Sequence, residues 1–167
     1  MTLTLSRLHH VGMIVSDLDV AMAFYDKLLG MKPTQRADID KSAGLARQFQ
    51  VERTVARVAF YEVSGGVAVE LIEVREPPEA KVQPQAYVPG SKHVCFLVED
   101  VDATYEAMKA EGYVFHGEPC HFGDETPELK GMKFAYFRDP DGNIVEIIED
   151  PNKKGLLAKA AQTVGLG

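Results

Sequence analysis

The sequence "HVGMIVSDLD" at residues 10–19 returns in altered form as "HVCFLVEDVD" at residues 93–102. One histidine, two valines and two aspartates keep their places when His10 is set against His93. Each copy starts with an apolar stretch typical of a strand and continues with apolar residues at helical spacing. Each therefore predicts a strand that runs into a capped helix. The expected N-caps and terminal glycines are Ser16 or Asp17, Asp100, Gly30 and Gly112.

The second half of each copy also repeats. "VAVELIE" at residues 67–73 matches "NIVEIIE" at residues 143–149, so that Glu70 is set against Glu146. Gly65-Gly66 precedes the first of these segments and the turn sequence "DPDG" at residues 139–142 precedes the second, and each predicts a hairpin. The remaining strands are expected near residues 33–37, 55–63, 113–116 and 132–137. The sequence thus predicts an α+β fold of two βαβββ modules.

We expect one domain over residues 1–167, built from both modules. Its parts are module 1 (7–75), a proline-rich linker (76–91), module 2 (92–150) and a tail (151–167). Residues 38–46 and 117–131 are predicted to be long polar loops. Within the tail, "GLLAKAA" at residues 155–161 predicts a short helix.

Composition narrows the possible partners. The formal net charge is −7, which disfavours a nucleic-acid surface because phosphate binding needs clustered Lys and Arg. No stretch approaches the roughly 20 apolar residues of a membrane span, and the N-terminus lacks the pattern of a signal peptide. Cys95 and Cys120 have no disulfide or metal spacing, and Cys95 is expected in the core. We expect a cytoplasmic protein whose partners are a small molecule and a second copy of itself, with no nucleic acid or membrane.

Two histidines and two glutamates occupy matching positions of the repeat. His10 aligns with His93, and Glu70 with Glu146. Each glutamate lies mid-strand among Val, Leu or Ile, where an unpaired buried carboxylate costs several kcal/mol. No Lys or Arg stands at an equivalent place in both copies, so the economical partner is a divalent metal with two imidazole and two carboxylate ligands.

Other polar residues receive a structural interpretation. His9 does not align with a histidine in the second copy and is expected to pack in the strand. Strand alternation places Glu73 and Glu149 on the opposite face from Glu70 and Glu146, near strand ends, where we expect them to be solvated. The same expectation applies to a set of arginines that alternation assigns to a solvated face, Arg47, Arg53 and Arg57.

The segments "LHHVGMIVSDLDVAMAFYDKLLGMK", "VAVELIEV", "KHVCFLVEDVDATYEAMKAEGY" and "FRDPDGNIVEIIE" resemble the vicinal oxygen chelate superfamily. The resemblance covers residues 8–150 and is strongest to the metal-dependent glyoxalase I and methylmalonyl-CoA epimerase branch. It implies a curled eight-stranded mixed sheet, a cup with the helices outside, around one divalent transition metal (Ni, Zn, Co, Mn or Fe(II)). The implied metal ligands are His10, Glu70, His93 and Glu146.

The resemblance also implies the chemistry. A substrate with two vicinal oxygens would fill the remaining metal positions, and a ligating glutamate, Glu146 or Glu70, would serve as the base in an isomerase, epimerase or lyase. Such modules often pair across chains, which implies a homodimer. Bacterial glyoxalase I holds glutathione through an arginine and an asparagine at places that are Ile14 and Val74 here. Lactoylglutathione lyase activity itself is therefore not expected.

Two alternatives are open. An Fe(II) ring-cleaving dioxygenase needs room for oxygen as well as substrate, which a fourth protein ligand makes scarce. Its acid or base would come from outside the ligand set, from His121, Tyr61 or Tyr136, although His121 reads more simply as a surface loop residue. A protein that only sequesters a drug or metabolite is the second alternative, and the complete ligand set counts against it.

Overall fold

A computed structural model describes residues 7–63, 65–77 and 82–153. The chain divides into two compact units, Met1–Val82 and Gln83–Gly167. Each unit contains a four-stranded mixed sheet and the order βαβββ, with extra short helical segments. The predicted α+β fold with two βαβββ modules is confirmed. No helix among the described residues combines the length and apolar character needed to cross a membrane.

The first unit has the strand order β1-β4-β3-β2. Its outer strand β1 pairs in parallel with β4, and the other neighbours are antiparallel. Its elements are β1 (His10–Val15), α1 (Leu18–Leu29), β2 (Gln35–Asp40), α2 (Ala43–Phe49), β3 (Val55–Val63) and β4 (Val67–Glu76).

The second unit has the equivalent order β5-β8-β7-β6, again with its first and last strands parallel. Two short 3-10 turns, Pro127–Leu129 and Pro151–Lys153, accompany the sheet. The main elements are β5 (His93–Leu97), α3 (Val101–Ala110), β6 (Cys120–His121), β7 (Lys133–Arg138) and β8 (Ile144–Glu149).

Both long helices begin where the sequence predicts, and α1 also ends there, whereas α3 ends at Ala110, before the expected Gly112. The Asp17 carboxylate accepts hydrogen bonds from the first turn of α1, and Asp100 does the same for α3. Gly30 closes α1 with a φ of 63°, a left-handed conformation that favours glycine. Gly112, with a φ of 90°, follows two residues after α3 ends. Of the two N-cap candidates for α1, the structure uses Asp17.

Each sheet has two distinct faces. One, the helix face, is covered by α1 or α3 and contains fully buried residues such as Leu71 on β4 and Val145 on β8. The Tyr25 hydroxyl on α1 reaches the Met13 sulfur on β1, 3.3 Å away, across this face. The opposite face carries His10 in the first unit and His93 in the second, and we call it the histidine face.

Three segments differ from the sequence prediction. Residues 38–46 were expected to be loop, but β2 extends to Asp40 and α2 follows, capped by the Ser42 hydroxyl, which accepts from the Leu45 amide. The strand expected at 113–116 is reduced to an isolated bridge from Phe115 to Phe137. The fourth strand of that sheet is β6 instead, inside the expected loop 117–131. The helix predicted at 155–161 and residues 78–81 of the linker lie outside the described residues.

Candidate metal centre

The first candidate pair joins the first and last strands of its unit. Parallel pairing sets Gly12 opposite Glu70, which brings the glutamate beside His10 on the histidine face. His10 Nε2 lies 3.2 Å from Glu70 Oε2, and the glutamate side chain is 14% exposed. A Cβ on Gly12 would lie 3.3 Å from the same carboxylate oxygen, so the glycine leaves this oxygen its space. Sequence and topology together therefore produce a His–Glu pair in which the glutamate is largely buried and the histidine is partly exposed.

The second unit repeats the arrangement more tightly. His93 Nε2 lies 2.9 Å from Glu146 Oε2, and the Glu146 side chain is 9% exposed against 43% for His93. Parallel pairing of β5 and β8 sets Cys95 opposite Glu146. Within residues 7–63, 65–77 and 82–153, no group of three or more His, Cys, Asp or Glu side chains is placed to hold a metal ion. Each unit therefore brings together one of the predicted histidines and one of the predicted glutamates.

The two pairs differ in their neighbours. Cys95 replaces Gly12 and hydrogen-bonds the Glu146 carboxylate. Although the residue is exposed in part, desolvation by the surrounding protein, and then the negative charge of Glu146, raise the pKa of the Cys95 thiol to about 12. The thiol consequently stays protonated and can donate to that carboxylate. The expectation that Cys95 fills the core is wrong, because the residue is exposed on the histidine face. Tyr136 faces Glu146 where Phe60 faces Glu70.

His9 is not a packing residue, contrary to the sequence interpretation. It is exposed, and its Nδ1 lies 2.8 Å from Nδ1 of His10. One of these nitrogens donates and the other accepts, so the contact orients the His10 ring with Nε2 toward Glu70. In the second unit the matching position is Lys92, whose ammonium donates to the Gly90 carbonyl instead.

Glu73 and Glu149 are also placed differently from the prediction. Alternation assigns them correctly to the opposite face, but each is buried, with 8% of the residue exposed. Glu73 accepts from the Leu18 amide at 3.4 Å, and Glu149 accepts from the Val101 amide at 3.3 Å. The reason is that the N-terminus of a helix, with unsatisfied amides, lies over the end of each strand.

A basic residue completes each of these contacts. Arg57, 14% exposed, donates to Glu73 at 3.1 Å and pairs with Asp19 at 2.9 Å. Lys133 lies 2.8 Å from Asp102 and 3.6 Å from Glu149. We call these sets the braces, Asp19–Arg57–Glu73 and Asp102–Lys133–Glu149. Hydrogen bonding by Arg57 is the main cause that lowers the pKa of Asp19, and hydrogen bonding by Lys133 is the main cause for Asp102.

Arg57 was expected on a solvated face, and that prediction is wrong because the brace holds it against α1. Arg53, by contrast, is 68% exposed and pairs with Glu76 at 2.6 Å. Arg47 is exposed as well. The sequence did contain a signal for the braces, because Arg57 and Lys133 occupy equivalent places when Glu70 is set against Glu146. The statement that no Lys or Arg does so is therefore wrong, although these two bases lie beside Glu73 and Glu149 and not beside the candidate ligands.

Of the three acid or base candidates outside the ligand set, only Tyr136 lies beside a pair. Its ring centroid is 5.3 Å from that of His93, and burial, followed by the charge of Glu146, raises the pKa of Tyr136. Tyr61 is fully buried on the helix face and donates to Asp26 at 2.8 Å. His121 is exposed and contacts Asp102 of the second brace at 2.9 Å.

Duplicated βαβββ modules, each with a His–Glu pair on the face away from its helix, define a protein of the glyoxalase type. The chain belongs to the Glyoxalase/Bleomycin resistance protein/Dioxygenase superfamily, whose family model matches residues 7–147. The vicinal oxygen chelate resemblance is thereby confirmed.

Two curated relatives and one solved structure illustrate this membership. A 2-epi-5-epi-valiolone epimerase from Actinomyces sp is 30% identical over 147 residues, covering 86% of this chain and 79% of the relative. A probable lactoylglutathione lyase from Vibrio parahaemolyticus is 28% identical over 151 residues, covering 86% and 91%. The crystal structure of a glyoxalase family protein from Bacillus cereus aligns with a TM-score of 0.72 over 88% of this chain and 95% of that one, at 21% identity. This last likeness concerns the fold alone.

Proposed function

We propose that the protein is a metal-dependent isomerase, epimerase or lyase that moves a proton on a substrate bound through two vicinal oxygens. The observation that carries the proposal is the repeated His–Glu pair, with nitrogen-to-oxygen distances of 3.2 and 2.9 Å. Relatives named as an epimerase and a lyase support an enzyme of this general kind.

The donor atoms suit a divalent transition metal. His10, Glu70, His93 and Glu146 offer two imidazole nitrogens and two carboxylates, a set compatible with Ni, Zn, Co, Mn or Fe(II). Each carboxylate is largely withdrawn from water, while its histidine is about two-fifths exposed. When bound, such an ion polarises a substrate carbonyl and makes the adjacent carbon acidic.

The protein's own contribution is to hold the carboxylates and to move the proton. Glu146 and Glu70 are the two candidate bases. The Cys95 thiol hydrogen-bonds Glu146, whereas Gly12 has no side chain that could do the same for Glu70. Separate Glu70→Gln and Glu146→Gln variants distinguish the base, because a lost base lowers kcat more than it raises KM.

Metal binding is the first test. We expect about one divalent ion per two modules, with His10→Ala and Glu146→Ala losing most of the binding measured by elemental analysis and calorimetry. His121→Ala is the matched control, since that histidine lies on the helix face beside Asp102. Full affinity in all four alanine variants of the ligand set would refute the assignment.

Reaction type is the second test. Thiol adducts of 2-oxoaldehydes, acyl-CoA epimers and catechols should be screened with Zn, Ni, Co and Fe(II), with and without oxygen. We expect deuterium uptake from solvent at the substrate carbon without oxygen consumption. Turnover only with Fe(II), with oxygen consumed in proportion to product, would favour a dioxygenase instead. The apolar side chains of Ile14 and Val74 offer no polar group to hold glutathione, which argues against lactoylglutathione lyase activity.

A homodimer is part of the same proposal. The outer strands β2 and β6 leave sheet edges that a second copy can cover. A solution mass of 18.4 kDa at every concentration tested would contradict it. The cytoplasm remains the predicted location, and the two free thiols agree with a reducing compartment.

A further inference from the structure

A continuous row of aromatic rings leads away from His93 on the histidine face of the second unit. The Tyr136 ring lies 5.3 Å from the His93 ring, and the Phe134 ring lies a further 5.3 Å away. Phe122 stacks on Phe134 at 5.5 Å with an interplanar angle of 24°. We call Phe122, Phe134 and Tyr136 the aromatic row. All three side chains are only partly buried, so ring surface remains open to contact.

The aromatic row is not required by the fold. In the first unit, Val58 and Phe60 take the places of Phe134 and Tyr136 when Glu70 is aligned with Glu146. Phe60 stands 6.0 Å from the His10 ring. Core packing in the second unit uses other rings, since Phe137 is fully buried and contacts another ring at 5.3 Å. The first unit thus forms the same sheet without such a row, and the partly exposed rings of the second unit are available for binding.

Charge on this face argues against an anionic substrate. Among the described strand residues of the second unit, Arg138 is the one lysine or arginine on the histidine face. Its guanidinium donates to the Gly142 carbonyl at 2.6 Å and the Pro84 carbonyl at 3.0 Å. Lys133 belongs to the brace on the other face. Outside the strands, the charge of Lys153 reaches Cys95, but Lys153 pairs with Asp150 at 3.6 Å. A phosphate or carboxylate on this face would therefore meet cations that already have protein partners.

We propose that the substrate bears an uncharged, planar apolar group, an aromatic ring or conjugated system, next to its vicinal oxygens. The inference rests on the proposed metal site, because the oxygens are taken to bind beside His93 and Glu146. A ring attached directly to them meets Tyr136 first, and a longer conjugated group reaches Phe134. The spacings within the row, 5.3 and 5.5 Å, lie in the range where rings interact favourably.

Two hydroxamate chelators, one with a methyl group and the other with a phenyl ring, provide the test. Acetohydroxamate and benzohydroxamate present the same pair of vicinal oxygens, and both are titrated calorimetrically into the Zn-loaded full-length protein. We expect benzohydroxamate to bind about tenfold more tightly, the equivalent of a favourable aromatic contact. A carboxylate at the para position of its ring should remove this gain, because Arg138 and Lys153 are already engaged by carbonyls and by Asp150.

Variants locate the effect. Phe134→Leu should lower the preference for benzohydroxamate about threefold and leave acetohydroxamate binding unchanged. Phe60→Leu is the control: it makes the same chemical change in the first unit, at the place equivalent to Tyr136, and it should leave the preference intact. A preference lost in Phe60→Leu but kept in Phe134→Leu would overturn the assignment to the aromatic row.

The failures of the two proposals are distinguishable. Equal affinity for the two hydroxamates in the metal-loaded protein, or tighter binding of the para-carboxylate, overturns the aromatic row and leaves the metal site standing. Absence of metal binding, or of any hydroxamate binding to the loaded protein, overturns the proposed function and this inference with it.

Discussion

Replacing Glu73 with alanine should destabilise the first unit substantially, although Glu73 touches neither candidate pair. The carboxylate is 8% exposed and accepts from the Leu18 amide, from Arg57 and from Arg75. Its removal leaves the buried Leu18 amide without this acceptor and takes one partner from Arg57. Hydrogen bonds to a charged group contribute roughly 1.5–3 kcal/mol, and breaking a fully buried ion pair costs about 3–5 kcal/mol.

Arg57 keeps two hydrogen bonds to Asp19, at 2.9 and 3.0 Å, so its charge is not orphaned. We therefore expect a loss of about 3 kcal/mol, toward the lower end of the buried-pair range. Glu73→Gln retains an acceptor for the Leu18 amide and should cost about half as much. Asp38→Ala is the control: Asp38 also faces Arg57, but it is 90% exposed at 3.6 Å and should cost roughly 0–0.5 kcal/mol.

Urea unfolding followed by circular dichroism measures these differences. Amide hydrogen exchange in α1 and β4 then assigns the loss to the first unit, because two units need not unfold in one step. The reasoning is refuted if Glu73→Ala costs no more than about 1 kcal/mol beyond Asp38→Ala. Such a result would mean that the brace is solvated in solution.

Two further predictions concern the second brace and the first candidate pair. Hydrogen bonds from Lys133 and then His121 hold the pKa of Asp102 below 3.8, so its contribution to stability is present above that pH and is lost as the pH falls through the lower native value. The stability difference between wild type and Asp102→Asn should accordingly shrink between pH 6 and pH 3 in urea titrations; a constant difference would contradict this. On the proposed metal site, His9→Ala should weaken Zn binding about tenfold in a chelator competition, because a ligating histidine loses the partner that orients it. His9→Asn should recover part of the affinity and Lys92→Ala should not change it, and an unaltered affinity in His9→Ala would count against the orienting role.

Internal repetition made much of this architecture predictable. Setting His10 against His93 located β1, α1, β5 and α3 together, and capping residues defined where the helices begin and end. Four ligand candidates followed from the repeat, because a polar residue in an apolar strand stands out when it recurs. Comparison within the chain thus supplied information that residue propensities alone do not.

The sequence predictions were wrong where contacts between distant parts of the chain determine the structure. Alternation gives the face of Glu73 and Glu149, but only the fold shows a helix N-terminus above them. Residues 113–116 do run beside β7, with the His116 amide donating to the Tyr136 carbonyl at 2.8 Å, yet they make only an isolated bridge. The helix α2 is short and depends on its local cap. The polar composition of this segment does not reveal such a helix.

The parallel pairing of the first strand with the last has a kinetic consequence. His10 meets Glu70 only after a chain segment of about 60 residues has closed, and closing such a loop costs entropy before any contact rewards it. During synthesis β1 must wait for β4 to emerge, and β5 must wait for β8. A chain interrupted before Val67 would hold β1 without its neighbour and His10 without its carboxylate. Metal binding by both members of a pair would therefore mark a late stage of folding. Each unit would reach this stage only when its last strand has been synthesised and has paired.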